Sequence, residues 1–427
     1  MSSANVFSLL GKSLKLDSAE DIEPHLKPLI ASDTVTEIQL GGNTFGAPAC
    51  EALGKVLKTK TSLQTAKLDD IFTSRLLSEI PPALSSLLTS LLALPSLHTI
   101  DLSDNAFGLN TQAPLVDFLS KHVALKHLIL QNNGLGPNAG SSIANALTTL
   151  AERKAEARKD GKEIPDLETV ICGRNRLESG SMAAWAKAYQ AHSKVRTVKM
   201  VQNGIRQDGI SLLLREGLKG CEGLETLDLQ DNTFTITGAR ALTEVISGWK
   251  SLRELGLGDS LLGSQGTQIL ADELRERGNN KQLQVLRLQY NEINTNALSK
   301  LLAAVKLGLP ALRRIELNGN KFSEDDVSIE GLGVVLEERK EEAGAGVEGE
   351  EWGLDELDEL EDDSEEEDDE EGDGDEGEGS EVDEKEEAGR RREGILKDAD
   401  QEEGSKVSQK KDEDVDQLAD QLGKTEI

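Results

Sequence analysis

The stretch 125–135 reads LKHLILQNNGL, with leucine at positions 125, 128, 130 and 135 and asparagine at 133. The same arrangement, or a close copy of it, occurs ten times along the chain. The polar position of successive copies is held by Asn105, Asn133, Asn175, Asn203, Asn232, Ser260, Asn291 and Asn320. Most neighbouring members of this series are 28 or 29 residues apart. The chain is therefore built from one repeated unit.

A fixed period of this length is the sequence signature of leucine-rich repeats. Leu128 and Leu130 alternate inward, as in a short strand with one face in the core. The second half of a unit has helical steps of three and four, as in Ile210, Leu213, Leu214 and Leu218. The sequence predicts an α/β leucine-rich repeat solenoid, with a curved parallel sheet inside and the wider helices outside. In a solenoid, function is expected on exposed strands and loops.

The repeat domain, with its caps, is expected to span residues 1–340. At its start, residues 17–30 indicate an amphipathic helix before a first strand at 35–40. At its end, the segment SEDD at 323–326 can begin a final helix, because carboxylates favour the positive end of the helix dipole. From residue 341 the apolar pattern stops, so residues 341–427 are expected to form a disordered acidic tail.

Two repeats depart from the pattern. Asn133 and Asn175 are 42 residues apart, and the excess includes the charged stretch 151–162, which predicts a helix prolonged into solvent. In the second repeat, Ile71 holds the asparagine position, and the extra stretch 69–75 precedes the helix. Functional sites are expected where a local rule is broken.

The net charge of −32 is concentrated in one part of the chain. Between Glu348 and Glu387 there are 26 acidic residues and one lysine. This charge repels phosphate backbones, so it disfavours nucleic acid and favours a basic protein surface as partner. The chain has three cysteines without a CxxC pair, no secretory signal and no apolar stretch suited to a membrane span. These features predict a soluble intracellular protein.

No self-contained catalytic set is present. The chain has no GxxxxGK[ST] loop for a nucleotide and no ligand cluster for a metal, so we expect neither a metal nor a cofactor on this chain. A row of carboxylates on the open face of the strands would attract a basic partner, although a merely solvated face also requires polar residues. The candidate partner-binding residues are Asp101, Asp104, Gln131, Arg174, Gln202, Asp228 and Asp231, with Asn132 and Asp259 on the same face.

Six segments are more specific than the general leucine-rich repeat pattern: DIFTSR at 70–75, LSDNAFG at 102–108, NNGLG at 132–136, ICGRNRL at 171–177, VKMVQNG at 198–204 and LDLQDNTF at 227–234. These segments resemble the Ran GTPase-activating proteins in their fungal form. They occur in order and in register, and the acidic tail matches in kind. The resemblance implies an activator of GTP hydrolysis by the small GTPase Ran that supports nucleocytoplasmic transport and is not itself an enzyme.

The resemblance also implies roles for single residues. Asn132 matches the residue that positions Ran's own catalytic glutamine, and its amide can both donate and accept hydrogen bonds. Arg75 matches a functionally important arginine, which in this family would orient the interface and not enter the active site as a finger. Arg174 matches another basic residue near the interface. Leu77 departs from relatives that carry lysine at this position.

The expected partner is Ran-GTP, alone or together with a Ran-binding protein. GTP and Mg²⁺ would be bound by that partner, and not by this chain. We expect a monomer. The fungal form lacks the additional domain that animal relatives use for attachment at the nuclear pore, so the resemblance favours the cytoplasm, with the nuclear periphery as the alternative.

A non-catalytic alternative is a leucine-rich repeat protein whose acidic tail binds histones or other basic proteins. Proteins of that kind have fewer and shorter repeats than this chain. A third alternative is an inhibitor similar to the ribonuclease inhibitor, whose repeats are of comparable length. That family is rich in cysteine, whereas this chain has three.

Overall fold

The computed structural model describes residues 5–344 and 352–361 of the chain. The strands of these residues are β1 (Val6–Ser8), β2 (Lys15–Leu16), β3 (Glu37–Gln39), β4 (Thr44–Phe45), β5 (Thr65–Lys67), β6 (Thr99–Asp101), β7 (His127–Ile129), β8 (Thr169–Ile171), β9 (Thr197–Lys199), β10 (Thr226–Asp228), β11 (Glu254–Gly256), β12 (Val285–Arg287), β13 (Arg314–Glu316) and β14 (Gly353–Leu354). β2 pairs with β4, and the others form one twelve-stranded sheet in chain order.

Every neighbouring pair in the large sheet is parallel. Leu128 of β7 lies beside Val170 of β8, which in turn lies beside Val198 of β9. These middle residues of the strands are buried, while their two neighbours in the strand are partly exposed. The alternation of side chains along a strand thus brings one apolar residue per repeat into the core. The predicted parallel sheet is confirmed.

The α-helices of the described residues are α1 (Ala19–Ala31), α2 (Ala47–Leu57), α3 (Ile80–Leu91), α4 (Gln112–Lys121), α5 (Gly136–Lys159), α6 (Met182–Ala191), α7 (Gln207–Leu212), α8 (Thr235–Val245), α9 (Gly263–Arg277), α10 (Thr295–Leu307) and α11 (Val327–Ala343). Each lies between two strands in the chain, and neighbouring helices pack on one another. This arrangement confirms the leucine-rich repeat solenoid. None of the described helices is long and apolar enough to cross a membrane.

The repeated asparagine links each repeat to its neighbours. Nδ2 of the buried Asn133 donates to the carbonyl of Leu102 in the preceding repeat, at 3.0 Å. Its Oδ1 accepts the N–H of Asn105, and its own N–H donates to Oδ1 of Asn175, both at 3.0 Å. Since these bonds satisfy buried main-chain groups, the asparagine series, called the loop ladder below, holds the ends of the strands in register.

A second series of side chains links repeats on the helix side of the molecule. Each member donates a hydrogen bond to a main-chain carbonyl of the preceding repeat. The members of this helix-side ladder are Lys60, His122, Lys154, His192, Trp249, Asn280 and Arg339. Because the members are of five different residue types, this ladder does not appear as a recurring residue in the sequence.

The start of the domain differs from the prediction in one respect. The expected first helix is present as α1, and its first turn is capped by Ser18, which exchanges hydrogen bonds with Asp21. The sheet does not begin at 35–40, because β1 precedes α1 and pairs with β3. Phe7 and Leu9 are buried, so this short segment covers the first edge of the core.

Ordered structure also continues past the expected boundary at residue 340. The predicted last helix is α11, capped by Asp326, and it runs to Ala343. Within the expected acidic tail, β14 pairs with β13. Leu357 and Leu360 pack on the core, which explains why this part of an acidic stretch stays attached to the repeat domain. The rest of the expected tail, 345–351 and 362–427, lies outside the described residues.

The long repeat contains a prolonged helix, as predicted, but that helix does not simply extend into solvent. Lys154 of α5 is only 2% exposed. Its Nζ donates to the carbonyl oxygens of Val123, Leu125 and Pro165, at 2.9, 2.6 and 2.7 Å. The three carbonyl oxygens replace the hydrogen bonds to water that the ammonium group loses on burial. Lys154 therefore links the insertion to the preceding repeat.

Candidate functional site

Five of the candidate residues occupy one equivalent position in successive repeats, directly before the loop ladder. The backbone φ at this position is positive, between 53° and 59°. The main-chain N–H of each donates to a carbonyl of the following repeat, as from Asn132 to Gly173 at 2.9 Å. The five are Asp104, Asn132, Arg174, Gln202 and Asp231, and they are called the rim row below. Because the strands are in register, these residues lie along one edge of the sheet.

Asn132 is exposed in the rim row, and one neighbour orients its side chain. Its Nδ2 donates to Oδ1 of Asp104 in the preceding repeat, at 2.7 Å. Within the described residues, its Oδ1 accepts no hydrogen bond. The amide is therefore fixed at its Nδ2 end, while its oxygen remains available as an acceptor.

Arg75 lies in the irregular second repeat, where Ile71 takes the place of the ladder asparagine and donates its N–H to Oδ1 of Asn105. The Arg75 side chain is 7% exposed. Its Nε donates to Oγ1 of Thr44 at 2.8 Å, and Nη2 donates to the carbonyl of Thr44 at 3.0 Å. Nη1 forms an ion pair with Asp17, which lowers the pKa of that carboxyl group.

These contacts indicate that Arg75 fixes the loop after Ile71 to β4 and to the segment between β2 and α1. Asp17 and Thr44 lie 58 and 31 residues before Arg75. Asp17 and Thr44 belong to the site because they hold the Arg75 side chain in place. No pattern in the sequence predicts these contacts. The loop presents Leu76 and Leu77 to solvent directly after this anchored arginine.

Two further candidates lie on the strand face beside the rim row. Asp101 ends β6, and its Oδ1 accepts the N–H of Ser103 at 3.0 Å. Gln131 is exposed and precedes Asn132. Both lie beside the rim row in the chain, and their part in partner binding stays a prediction.

Asp228 requires a correction, because its carboxylate is not an open partner-binding group. The residue is 8% exposed, and its Oδ1 accepts a hydrogen bond from Nε2 of Gln230 at 3.0 Å. The neighbouring strand carries Gly256 at this point, where a side-chain carbon would lie 2.6 Å from Oδ1 of Asp228. The missing side chain leaves room for the carboxylate to lie against the sheet.

An acidic group missed by the sequence analysis lies beside the first members of the rim row. Burial raises the pKa of Asp69, and the charges of Asp101, Asp104 and Asp70 raise it further. Asp70 has a positive φ of 45° at the position that corresponds to the rim row. The doubled aspartate in the irregular repeat was the available signal. This end of the sheet edge is therefore negative and suited to a basic partner surface.

The chain is similar to known leucine-rich repeat proteins. A family model described as "Leucine Rich repeat" matches residues 221–242. Ran GTPase-activating protein 1 of Saccharomyces cerevisiae is 43% identical over 333 residues, which cover 76% of this chain and 80% of that protein. The Ran GTPase-activating protein of Drosophila melanogaster is 32% identical over 321 residues, which cover 74% of this chain and 52% of that protein.

A ribonuclease inhibitor of Sus scrofa shares 23% identity over 62% of this chain and 61% of its own. The relationship to the yeast protein is much closer and extends over most of both chains. The chain therefore belongs to the family of Ran GTPase-activating proteins, as the motifs of its repeats indicated.

Proposed function

We propose that this protein accelerates the hydrolysis of GTP bound to the small GTPase Ran, and that it does so from the rim row. Membership of the family is the observation that carries the proposal. The rim row supplies a line of exposed polar side chains on one edge, beside acidic groups that would attract a basic surface. The activity would serve nucleocytoplasmic transport.

In this proposal the protein completes the active site of its partner and has no active site of its own. GTP and Mg²⁺ are bound by Ran, and the attacking water must be aligned by a positioned side chain. Asn132 would hold Ran's catalytic glutamine through its free amide oxygen, while Asp104 keeps the amide in place. A group preorganised in this way costs no reorientation during the reaction.

Arg75 would act as a positioning residue. An arginine finger must leave its own protein and reach the phosphates of the partner. Here the guanidinium already binds Asp17 and Thr44 and is almost fully buried. Reaching the phosphates would break all of these bonds, so the contacts support a role in shaping the loop that meets Ran.

The partner is proposed to be Ran in its GTP-bound state, alone or with a Ran-binding protein, and the activator is proposed to be a monomer. The acidic sequence argues against nucleic acid as a second partner. The location is proposed to be the cytoplasm or the nuclear periphery.

The proposal is tested by multiple-turnover phosphate release from Ran-GTP in the presence of a small molar fraction of this protein. We expect a large increase in the rate with Ran, none with a Ras-type GTPase, and no hydrolysis by this protein alone. A non-catalytic binder would associate with Ran or with histones without changing turnover. Unchanged turnover of Ran in the presence of folded protein would therefore contradict the proposal.

A further inference from the structure

Leu261 combines two features that do not stabilise the fold. Its side chain is 52% exposed, and its backbone φ is 52°, in the left-handed region. That region is unfavourable for a leucine. The repeat imposes it at this position, since Ala106, Gly134, Arg176, Gly204 and Glu292 also have a positive φ there. The large exposed apolar side chain is therefore what distinguishes Leu261. Tyr290 is also exposed at positive φ, but its hydroxyl bonds to Glu359 and its ring lies on Gly319, so it has a structural role.

The Leu261 side chain forms one wall of a cleft of about 500 Å³ on the same edge as the rim row. Arg176 and Glu178 line the cleft as well, and Gly204 leaves space because it has no side chain. Asp231 of the rim row also contributes to it. The cleft is therefore an opening in the proposed docking edge itself.

The charges of the cleft define what it can hold. Its lining includes the carboxylates of Glu178, Asp231 and Asp259 and one cation, Arg176. Within the described residues, neither Asp231 nor Asp259 has a side-chain hydrogen bond or ion pair. Burial raises the pKa of Asp231, and the nearby charge of Asp259 raises it further, while Arg174 lowers it. A cation between the two carboxylates would relieve their repulsion.

We propose that this cleft binds a lysine or arginine side chain of the partner GTPase, with Leu261 against the aliphatic stem and Asp231 and Asp259 around the charge. Lysine and arginine bury their stems on apolar surface while their charged ends keep polar partners. The two carboxylates disfavour the chain's own acidic stretch as the occupant. The inference rests on the proposed function, since it names the partner of the same edge.

The distance between Asn132 and the cleft is short enough for one partner to contact both. Asp231 and Leu261 follow β10 and β11, three and four strands after β7, which precedes Asn132. With about 4.8 Å between strands, the cleft lies roughly 15–20 Å from Asn132 along the edge. A standard protein interface covers about 800 Å² on each partner, or roughly 30 Å across. A footprint of this width that extends from Asn132 towards β11 reaches the cleft, so one GTPase can contact both places.

Leu261→Gly is the first test, because it removes the apolar wall and suits the left-handed backbone. We expect the apparent KM for Ran-GTP, and the Kd for Ran with a non-hydrolysable GTP analogue, to rise about tenfold. The single-turnover rate at saturation should be unchanged. Leu307→Ala is the matched control, since Leu307 is exposed at the end of α10 on the helix side. Its KM and Kd should equal those of the wild type.

Asp231→Asn with Asp259→Asn is the second test, because it keeps the shape of the cleft and removes the charge. The Kd should rise several-fold at low salt, and the difference from the wild type should shrink at high salt. Glu222→Gln, which replaces an exposed acid outside the cleft, is the control. If wild-type protein activates Ran but Leu261→Gly or the double variant binds Ran normally, the inference is wrong and the proposed function stands. If wild-type protein does not activate Ran, the proposed function fails.

Discussion

At the scale of single residues, the rim row is defined by backbone conformation as much as by side-chain chemistry. The positive φ at each position is a property of the repeat and is shared by all five members. For Asn132, one bond to the preceding repeat, the bond to Asp104, also fixes the direction of the amide. The site is thus assembled between repeats, and two positions control one amide.

The first prediction separates these two positions. Asn132→Ala should lower the single-turnover rate of Ran-GTP hydrolysis at saturation by about 10²-fold, the usual effect of removing one positioning group. Asp104→Gly tolerates the positive φ and removes the acceptor, so it should lower the rate by a smaller factor. Asp104→Asn keeps an acceptor oxygen and should retain most of the rate. Normal rates for Asn132→Ala at saturation would show that the amide has no such role.

The second prediction concerns Arg75 and its stabilising contacts. Arg75→Ala should reduce activation of Ran mainly through a higher KM, because the loop that meets the partner loses its anchor. It should also lower the free energy of unfolding by about 1–3 kcal/mol, since charge-assisted hydrogen bonds are lost from a buried side chain. Urea denaturation measures this loss. Lys187→Ala, at an exposed position of α6, is the control and should leave the stability unchanged.

Equal stability of Arg75→Ala and the wild type would show that the contacts with Asp17 and Thr44 are not important for the fold. A normal KM would remove Arg75 from the interface. The two outcomes are independent, so the experiment distinguishes a residue that holds the loop from one that only contacts the partner.

Sequence reasoning identified the rim row because its members precede the ladder asparagine, which the repeat makes visible. It failed for Asp228, because the burial of that carboxylate depends on Gly256 in the next repeat. Likewise, the role of Arg75 depends on two partners in the first part of the chain. The burial of Asp228 and the role of Arg75 both depend on contacts between repeats. Such contacts cannot be inferred from the sequence of a single repeat.

At the scale of elements, the strands and helices were predictable because the strand alternation and the helical spacing of apolar residues are both visible within one repeat. The exceptions are short terminal elements that have no repeat of their own. β1 has three residues and lacks a ladder asparagine, and β14 lies in a stretch dominated by acidic residues. Each is stabilised by pairing with a strand of a regular repeat: β1 pairs with β3, and β14 pairs with β13.

The third prediction uses the helix-side ladder. Burial lowers the pKa of His192 to about 4, although its bond to the carbonyl of Leu147 acts in the opposite direction. The unfolded chain takes up a proton near pH 6.5, and the folded chain does so only near pH 4. The contribution of His192 to stability is therefore complete above about pH 6.5 and is lost as the pH falls towards 4.

The loss amounts to at most about 1.4 kcal/mol per pH unit for one proton. His192→Gln keeps a donor but does not titrate, so the fall in unfolding free energy between pH 7 and pH 5 should be smaller than in the wild type. His25→Gln, outside the ladder, should show the full fall. Equal pH dependence in all three proteins would show that His192 is not the group responsible.

At the scale of the whole molecule, the last described segment closes the open edge of the sheet. Oδ1 and Oδ2 of Asp355 accept the N–H groups of Leu317 and Asn318, at 2.7 and 3.0 Å. Nη1 of Arg314 donates to the carbonyl of Leu354 at 2.8 Å. Residues 352–361 therefore provide to β13 the bonds that a further repeat would otherwise make.

The fourth prediction compares two truncations. A chain that ends after Lys340 loses this segment, exposes the edge of β13 and should unfold at lower temperature than the full-length chain. It should also associate at high concentration, because an uncovered strand edge pairs readily. A chain that ends after Glu361 keeps the segment and should melt with the full-length chain. Identical melting of the two truncated chains would show that residues 352–361 do not stabilise the sheet.

The fifth prediction uses the truncation after Glu361 to isolate the acidic stretch, because the sheet stays closed. Most of the 26 acidic residues between 348 and 387 follow this point. An exposed charge acts over about 8 Å at physiological salt and further at low salt, so these residues should mainly increase the rate of encounter with a basic partner. The truncated chain should associate with Ran-GTP more slowly at low salt, with a flatter dependence on salt, while its rate of hydrolysis at saturation is unchanged. Stopped-flow association across a salt series measures the difference. Equal association rates at low salt would leave the acidic stretch without a part in the encounter, and a lower saturated rate would place it in the catalytic complex.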